Sequence, residues 1–259
     1  MSVTLLIEQL LNGVQLGTML FLMASGLTLV FGVMGLINLA HGSFYMVGAY
    51  ATAAVTASTG SFLLGLAAGM TAAALVGALV ELLVIRRLYH RPHLDQVLAT
   101  FALILIFSEG TRWIFGSSPL WLSPPSWLTG FVTLPGDTRY PIYRLVLIGV
   151  GVAIAIALYL LISRTRLGMR IRAGESDREM IGALGVNIAK LYTVVFALGA
   201  ALAGLAGALV GASLPATLLS DVHAAFRGHR GRFFTGRNAD LYPHGRHSRV
   251  QAQGTVCCQ

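Results

Sequence analysis

Apolar residues run along this chain in six long stretches, and polar residues gather in the short segments between them. Each stretch is about 20 residues long, which at roughly 1.5 Å per residue is enough to cross a hydrocarbon layer of about 30 Å. The pattern therefore predicts six membrane-spanning helices. They cover approximately residues 7–31, 41–58, 62–85, 97–116, 142–162 and 191–213.

The composition leads to the same fold class. Of the 259 residues, 56% are hydrophobic and 11% are charged, whereas a soluble domain carries about 25% charged residues. A chain with so few charges cannot cover its surface with them. We expect an all-α, polytopic transmembrane helical bundle.

The basic residues predict which way the spans face. The loops at 86–95 and 163–190 hold nine Lys and Arg between them, whereas the loop at 117–141 holds one. Cytoplasmic loops carry the excess of positive charge. We therefore expect the first two loops inside, the third outside, and the N-terminus in the periplasm.

No catalytic motif, metal pattern or cofactor motif is visible in the sequence. A Walker A loop places a Lys after a glycine-rich turn to reach nucleotide phosphates, but the single Lys of this chain, Lys190, lies in GVNIAKLYT. The two cysteines, Cys257 and Cys258, are adjacent and match no ligand spacing. We expect a non-enzymatic transport protein that works passively, uses an ion gradient or borrows a separate ATPase subunit.

The segment GLINLAHGSFYMVGAY, residues 35–50, places four polar side chains between the first two spans: Asn38, His41, Ser43 and Tyr45. Asn38 is predicted to cap the second helix by accepting from the N–H of His41. An ionisable group at membrane depth is costly without a partner and is a functional candidate. We expect residues 38–43 either to satisfy the helix start or, together with Tyr45, to line a translocation path near its cytoplasmic mouth.

Other charged and small residues receive structural predictions. Glu109 and Arg112 are three positions apart on a helix and can pair. Glu8 and Glu81 lie near span ends, where we expect them to reach the interface. Small residues at four-residue spacing are expected to pack helices together. These pairs are Gly13/Gly17, Gly65/Gly69, Ala203/Gly207 and Gly207/Gly211.

The loop before the last span predicts a short amphipathic helix. The pattern Ser176-x-x-Glu179 is a capping box, so the helix is expected to begin there. Gly185 is predicted to end it. Such a helix docks either into a groove of a partner protein or onto the lipid surface. Its expected apolar face holds Met180, Ile181 and Leu184.

Two long motifs carry a family resemblance that covers about residues 5–214. The first is NGVQLGTMLFLMASGLTLVFGVMGLINLAHGSFYMVGAY, and the second is TRLGMRIRAGESDREMIGALGVNIAKLYTVVFALGAALAGLAGAL. The chain resembles the membrane permease of bacterial branched-chain amino acid ABC transporters, a family whose pattern continues with further spans. The resemblance implies transport of leucine, isoleucine and valine, or of urea, amides or other amino acids in related permeases.

The same resemblance implies a location in the bacterial cytoplasmic (inner) membrane, the partners and a coupling segment. The partners would be a second permease subunit, two ATP-binding subunits and a periplasmic substrate-binding protein. Residues of about 172–186 would contact an ATPase subunit. The candidates are Arg172, Glu175, Asp177, Glu179, Met180, Ile181, Leu184 and Gly185. An ATP-independent channel or carrier is the alternative without such a contact.

After Leu214 the chain changes character. Residues 215–259 contain six Arg and four His without an apolar run long enough to span. Binding of RNA or acidic lipid, or of a metal through histidines, are alternatives, but neither has a defined spacing signature. Because the tail adds positive charge on the predicted outer side, we favour a disordered or frameshifted segment, which would make the chain a truncated, non-functional product. The permease domain is then 1–214.

Overall fold

The computed structural model describes residues 3–89, 91–116, 122, 125–134 and 138–213. Within this part of the chain the structure is almost entirely helical, as predicted. The α-helices are α1 (Val3–Met34), α2 (His41–Thr59), α3 (Phe62–Val80), α4 (Arg86–Leu88), α5 (His93–Phe115), α6 (Ile142–Arg164), α7 (Arg166–Ser176), α8 (Arg178–Ala183) and α9 (Ile188–Ser213).

Five helical stretches of the described residues are long and apolar enough to cross a membrane. They agree with five of the six predicted spans. The sixth, α2, forms at the predicted place, but hydroxyl and small residues such as Thr52 and Thr56 make it less apolar than the others. The fourth span starts at His93 instead of Val97, because its first turn is polar and escaped the hydropathy pattern.

Contacts between helices show that consecutive long helices alternate in direction. α2 and α3 are antiparallel, since a methyl group added at Gly65 or Gly69 would meet Thr56 or Thr52 respectively. α3 is likewise antiparallel to α9. There, a methyl group at Gly77 would meet Ala200, and one at Gly204 would meet Ala73.

The remaining long helices follow the same alternation. α1 and α6 run parallel, because Arg144 Nη1 donates to Asn12 Oδ1 at 2.6 Å near the start of both helices. α2 and α5 also run parallel, with ring contacts between Phe44 and Phe107 at 5.9 Å and between Tyr50 and Phe115 at 4.8 Å. One end of the bundle therefore carries the starts of α1, α3 and α6. The other end carries α4, α7, α8 and the turn at 35–40.

The core lies mainly between α1, α2, α3 and α9. Phe44 and Phe196 are completely buried and pack edge to face with ring centroids 5.6 Å apart. A second cluster around Leu22, Leu147 and Leu205 joins α1, α6 and α9 nearer the end where α3 and α6 begin. α9 is in contact with α1, α2 and α3, so it forms the centre of the described bundle.

The loop between α5 and α6 contains a small hairpin that the hydropathy pattern did not predict. β1 (Phe131–Leu134) pairs antiparallel with β2 (Thr138–Pro141), so that Phe131 lies opposite Pro141. It is located at the end of the bundle where α6 begins. The predicted tail, 215–259, falls outside the described residues.

The segment before α9 holds two helices where one was predicted. Ser176 is the last residue of α7, so the predicted capping box at this position is wrong. Asp177 caps α8 instead, since its Oδ1 accepts from the N–H of Met180 at 3.0 Å. The sequence pattern did not predict α7, because arginines and glycines surround Ile171, the large apolar residue on its buried side. Gly185 follows α8 with a φ of +84°, as predicted for a helix terminator.

Candidate functional site

Asn38 shapes the turn that leads into α2. Its Oδ1 accepts from the N–H of Ala40 at 3.0 Å, and its backbone carbonyl accepts from the N–H of His41 at 3.3 Å. The side chain therefore holds the turn before the helix instead of capping His41 itself, which corrects the predicted donor. The reason is the tight turn, which brings Ala40 into reach of the side chain first.

His41 begins α2 and is buried, with only 3% of its surface exposed. Its ring lies against Gly26 of α1 and 6.3 Å from the ring of Phe44. The ring is near the backbone of Met23, but neither ring nitrogen makes a well-formed hydrogen bond to any described residue, and the same holds for Nδ2 of Asn38. Buried polar groups are usually satisfied, so these two side chains are among the few exceptions in the part of the chain that the structure describes.

The other two candidates lie on the same helix. Ser43 is buried, whereas Tyr45 is partly buried and packs against both core clusters. The backbone of Tyr45 approaches Gly207 so closely that a methyl group there would collide with its carbonyl. Asn38, His41 and Ser43 are thus all buried at the end of the bundle that carries α7 and α8, but His41 and Ser43 are two positions apart on α2 and point to different sides of the helix.

A second polar cluster was missed by the sequence reasoning. Glu81 is completely buried, so the prediction that it reaches the interface is wrong. Its Oε1 accepts from the hydroxyl of Tyr89 at 2.7 Å, and its Oε2 accepts from the hydroxyl of Thr193 at 2.8 Å. Arg86 donates to both carboxylate oxygens at 3.2 and 3.3 Å. Each oxygen of the carboxylate therefore accepts two hydrogen bonds inside the protein.

The local backbone explains how Glu81 meets Arg86. Residues Glu81–Ile85 form a π-helical turn between α3 and α4, and such a turn widens the helix to i→i+5 spacing. Arg86 is five positions after Glu81 and folds back over it. A single acid inside an apolar run, followed by Arg five residues later and Tyr eight residues later, was the available signal.

This cluster connects α3 to α9. Thr193 belongs to α9 and also accepts from Arg86 at 2.9 Å, while the rings of Tyr89 and Tyr192 pack 5.2 Å apart. Burial, and after it the hydrogen bond to Glu81, raises the pKa of Tyr89 above its ordinary value. Tyr89 therefore stays protonated and donates. The cluster lies one helical turn after the start of α9, next to α7 and α8.

The predicted apolar face of α8 is divided. Ile181 is buried and anchors the helix, whereas Met180 and Leu184 are 64% and 75% exposed. The reason is that α8 lasts only six residues, so its buried side covers a single apolar residue. Arg172 and Glu175 lie on α7 and line a groove beside α1. The side chain of Glu179 falls outside the described residues.

Of the remaining predictions, the structure agrees with some and contradicts others. Glu109 and Arg112 pair at 3.2 Å, as predicted, with both side chains largely exposed. Gly65, Gly69 and Gly207 make the predicted close helix contacts. A methyl group added at Gly13 or Gly17 would meet nothing within 4 Å, so this pair packs no helix of the described chain, because α1 turns that side outward. The described residues hold no group of three or more potential metal ligands.

Comparisons with known proteins agree with this architecture. The family profile described as branched-chain amino acid transport system, permease component, matches residues 9–226. The chain is 30% identical over 239 residues to the high-affinity branched-chain amino acid transport system permease protein LivH of Escherichia coli K12, covering 79% of this chain and 70% of that protein. It is 32% identical over 225 residues, with the same coverage, to BraD of Pseudomonas aeruginosa, which carries the same description. No solved structure matches.

Proposed function

Because this chain belongs to the branched-chain amino acid permease family and is a membrane permease subunit of an ABC importer, we propose that it carries leucine, isoleucine and valine through the bundle. The observation that supports a path through this chain is the buried pair Asn38 and His41, whose unpaired polar atoms can meet a polar substrate. Urea, amides or other amino acids are the alternative cargo.

Uptake of labelled leucine into cells that express the whole importer tests the path. His41→Ala and Asn38→Ala are expected to reduce initial uptake about tenfold or more, because each removes a polar partner of a desolvated substrate. Ser58→Ala, at an exposed site near the end of α2, is the control. Full uptake by both variants at normal expression would exclude these residues from the path.

The proposed partners are a second permease, two ATP-binding subunits and a periplasmic binding protein. The sequence contains no Walker A loop of its own, which supports separate ATPases. Exposed Met180 and Leu184 stand beside the buried anchor Ile181, and such a pair on a short helix suits an apolar groove of a partner. An ATP-independent channel would have no use for this surface.

Co-purification with the ATPase subunit tests the coupling surface. The double variant Met180→Ser/Leu184→Ser is expected to lose most of the ATPase subunit, because two apolar side chains leave the interface. Leu63→Ser is the control, since Leu63 is 63% exposed and lies at the opposite end of the bundle. Retention of the ATPase by the double variant would exclude Met180 and Leu184 from the contact, and absence of the ATPase from the unmodified chain would favour the channel or carrier.

We further propose that α2 is a sixth crossing and that the N-terminus is periplasmic. α2 has 19 residues, or about 28 Å of helix, and it alternates in direction with its neighbours. The basic loops at the α7–α8 end support a cytoplasmic placement. The permease domain is proposed to be 1–214, and the tail 215–259 to lie outside it.

An impermeant maleimide tests this topology in a variant without Cys257 and Cys258. Gly60→Cys, in the turn after α2, is expected to be labelled from outside intact cells. Gly185→Cys is expected to react only after permeabilisation. Protection of Gly60→Cys in intact cells would show that α2 does not cross.

A further inference from the structure

A long groove of about 420 Å³ runs along the second half of α1, between this helix, α6 and α7. Its lining on α1 extends from Phe21 to Val33, which at about 1.5 Å per residue is a length of about 18 Å. The hydrocarbon core of a bilayer is about 30 Å thick, so one leaflet is about 15 Å deep. The groove therefore has the length of one lipid leaflet, and it lies in the half of α1 nearest to α7.

The groove has a closed apolar floor and an open side. Leu29, Val33 and Ile171 are buried and form the floor, whereas Phe21 and Thr28 are exposed along the opening. The hydroxyl of Thr28 donates to a carbonyl of its own helix, so it offers no hydrogen to the groove. Because α1 is long and apolar enough to cross the membrane, an acyl chain of the bilayer can enter from the open side. This part of the groove suits a long apolar ligand.

Two opposite charges stand where the groove meets α7. Arg172 and Glu175 both line it, and because they are three positions apart they share one face of the helix. Both side chains are exposed. Nη1 of Arg172 donates to the carbonyl of Ile162 at 2.8 Å, and a methyl group added at Gly32 would lie 4.0 Å from Oε1 of Glu175. The two charges are therefore held at the ends of α6 and α1, where the apolar floor stops.

We propose that this groove binds a phospholipid whose headgroup carries a primary ammonium, as that of phosphatidylethanolamine does. Arg172 binds the phosphate through charge-assisted hydrogen bonds, Glu175 binds the ammonium, and one acyl chain lies along α1. In this headgroup an ethylene bridge joins the phosphate ester to the ammonium. Residues three apart on a helix have Cβ atoms about 5–6 Å apart, so a single headgroup reaches both charges. The site is separate from the proposed path for the cargo and does not depend on which cargo is carried.

Other occupants match fewer of these features. Phosphatidylglycerol has a phosphate and acyl chains, but its negative charge meets that of Glu175 without a cation to offset it. Phosphatidylcholine has both charges, but its quaternary ammonium has no hydrogen to donate to the carboxylate. A free amino acid also has both charges, but it is too short for a groove of about 18 Å. An apolar helix of a partner subunit fills the length and leaves both charges without a counterpart, which is costly at a membrane boundary.

Native mass spectrometry of the full, delipidated chain in detergent tests the headgroup. Dioleoyl phosphatidylethanolamine, phosphatidylglycerol and phosphatidylcholine are added in turn. The first is expected to bind about fivefold more tightly than the other two, as one partly exposed ion pair allows. Glu175→Gln is expected to remove this preference without weakening phosphatidylglycerol, which also shows that the variant is folded. Arg172→Gln is expected to weaken all three lipids, because each has a phosphate.

Two control substitutions test whether any charge near the membrane has the same effect. Arg87 is exposed and also donates to a backbone carbonyl, but it does not line the groove. Glu8 lies on α1, far from the groove. Arg87→Gln and Glu8→Gln are expected to leave the order and the strength of lipid binding unchanged. Equal effects of Arg87→Gln and Arg172→Gln would overturn the proposal.

Thr28→Phe tests the acyl chain, because the new ring fills the middle of the groove. It is expected to weaken all three lipids at least about fivefold. Leu27→Phe is the matched control, since Leu27 is the neighbouring residue, is exposed and does not line the groove. This control is expected to bind lipid like the unmodified chain. Equal binding by the two variants would exclude the groove as the place of the chain.

Competition separates a lipid from a free zwitterion and from a partner subunit. An excess of L-leucine or of glycerophosphoethanolamine, which has the headgroup without acyl chains, is expected not to displace phosphatidylethanolamine. Displacement by either would overturn the proposal, as would equal affinities of the three lipids for the unmodified chain. The bound lipid is also expected in the assembled importer. Its absence there, while the isolated chain retains it, would assign the groove to a partner subunit and overturn the proposal.

Discussion

α9 and α5 are both long enough and apolar enough to cross a membrane, yet they have opposite surroundings. In the most apolar stretch of α9, 67% of the residues are buried, against 11% in α5. Their mean hydropathies, 2.2 and 1.5, do not explain this difference. A strongly apolar helix can face either lipid or other helices. Hydropathy therefore predicts that a helix crosses the membrane but does not predict where it lies in the bundle.

Residue size accounts for the difference. Gly199, Gly204 and Gly207 of α9 lie against the backbones of α1, α3 and α2 in turn, and this close approach stabilises helix pairs in a membrane. The large residues of α5 point away from the described chain, as Leu98 and Trp113 do with 70% and 93% exposure.

The two Glu–Arg pairs repeat the contrast with polar residues. Both pairs have an N–O distance of 3.2 Å. In the inner pair Glu81 is fully buried and has Tyr89 and Thr193 as further partners, whereas both members of the pair on α5 are more than two-thirds exposed. Equal N–O distances therefore do not imply equal contributions to the free energy of unfolding, because the two pairs differ in desolvation and in the number of additional hydrogen bonds.

The largest expected effect is at the contact between α2 and α9. In Gly48→Leu the new side chain would collide with the Cα and carbonyl of Gly204, so we expect a loss of more than about 3 kcal/mol in the free energy of unfolding. SDS titration in mixed micelles, followed by circular dichroism, measures it. Gly110→Leu on α5, with nothing within 4 Å, should differ from the unmodified chain by less than about 0.5 kcal/mol. Equal losses would refute the contrast between the helices.

A smaller effect is expected at the inner pair. Glu81→Gln leaves Arg86 without its ion-pair partner, and since Arg86 is 39% exposed we expect a loss of about 2 kcal/mol rather than the full cost of a buried charge. The same titration applies. Glu109→Gln on α5 should change the free energy of unfolding by less than about 0.5 kcal/mol. The prediction is wrong if the two substitutions are equivalent.

The smallest effect is expected at the turn before α2. Asn38→Ala removes the hydrogen bond to the N–H of Ala40, which we expect to cost about 1 kcal/mol in the free energy of unfolding. Ser58→Ala, whose exposed hydroxyl donates to Val55, should cost less. A loss of uptake in Asn38→Ala far beyond this small destabilisation would support the path; a loss of several kcal/mol would make Asn38 a structural residue.

Much of the fold could be predicted, because each span carries its own signal. Five spans and the terminator Gly185 depend on local hydropathy or on one backbone conformation. The sequence did not predict the Asp177 cap, because Ser176 and Asp177 are both suitable capping residues. Only the position at which α7 ends decides which of them caps α8. The predicted Asn38–His41 bond failed for a similar reason, since the side chain reaches Ala40 first.

By itself, the sequence determined that this is a helical membrane protein, where its helices lie and which family it belongs to, since these follow from composition, periodicity and long motifs. Only the tertiary structure decided that α9 is central and α5 peripheral, that Glu81 is buried, and that Arg172 and Glu175 face a groove. These facts depend on contacts between residues distant in the chain. A glycine or a glutamate has the same local pattern whether it meets a neighbouring helix or points outward, and only the packing distinguishes the two.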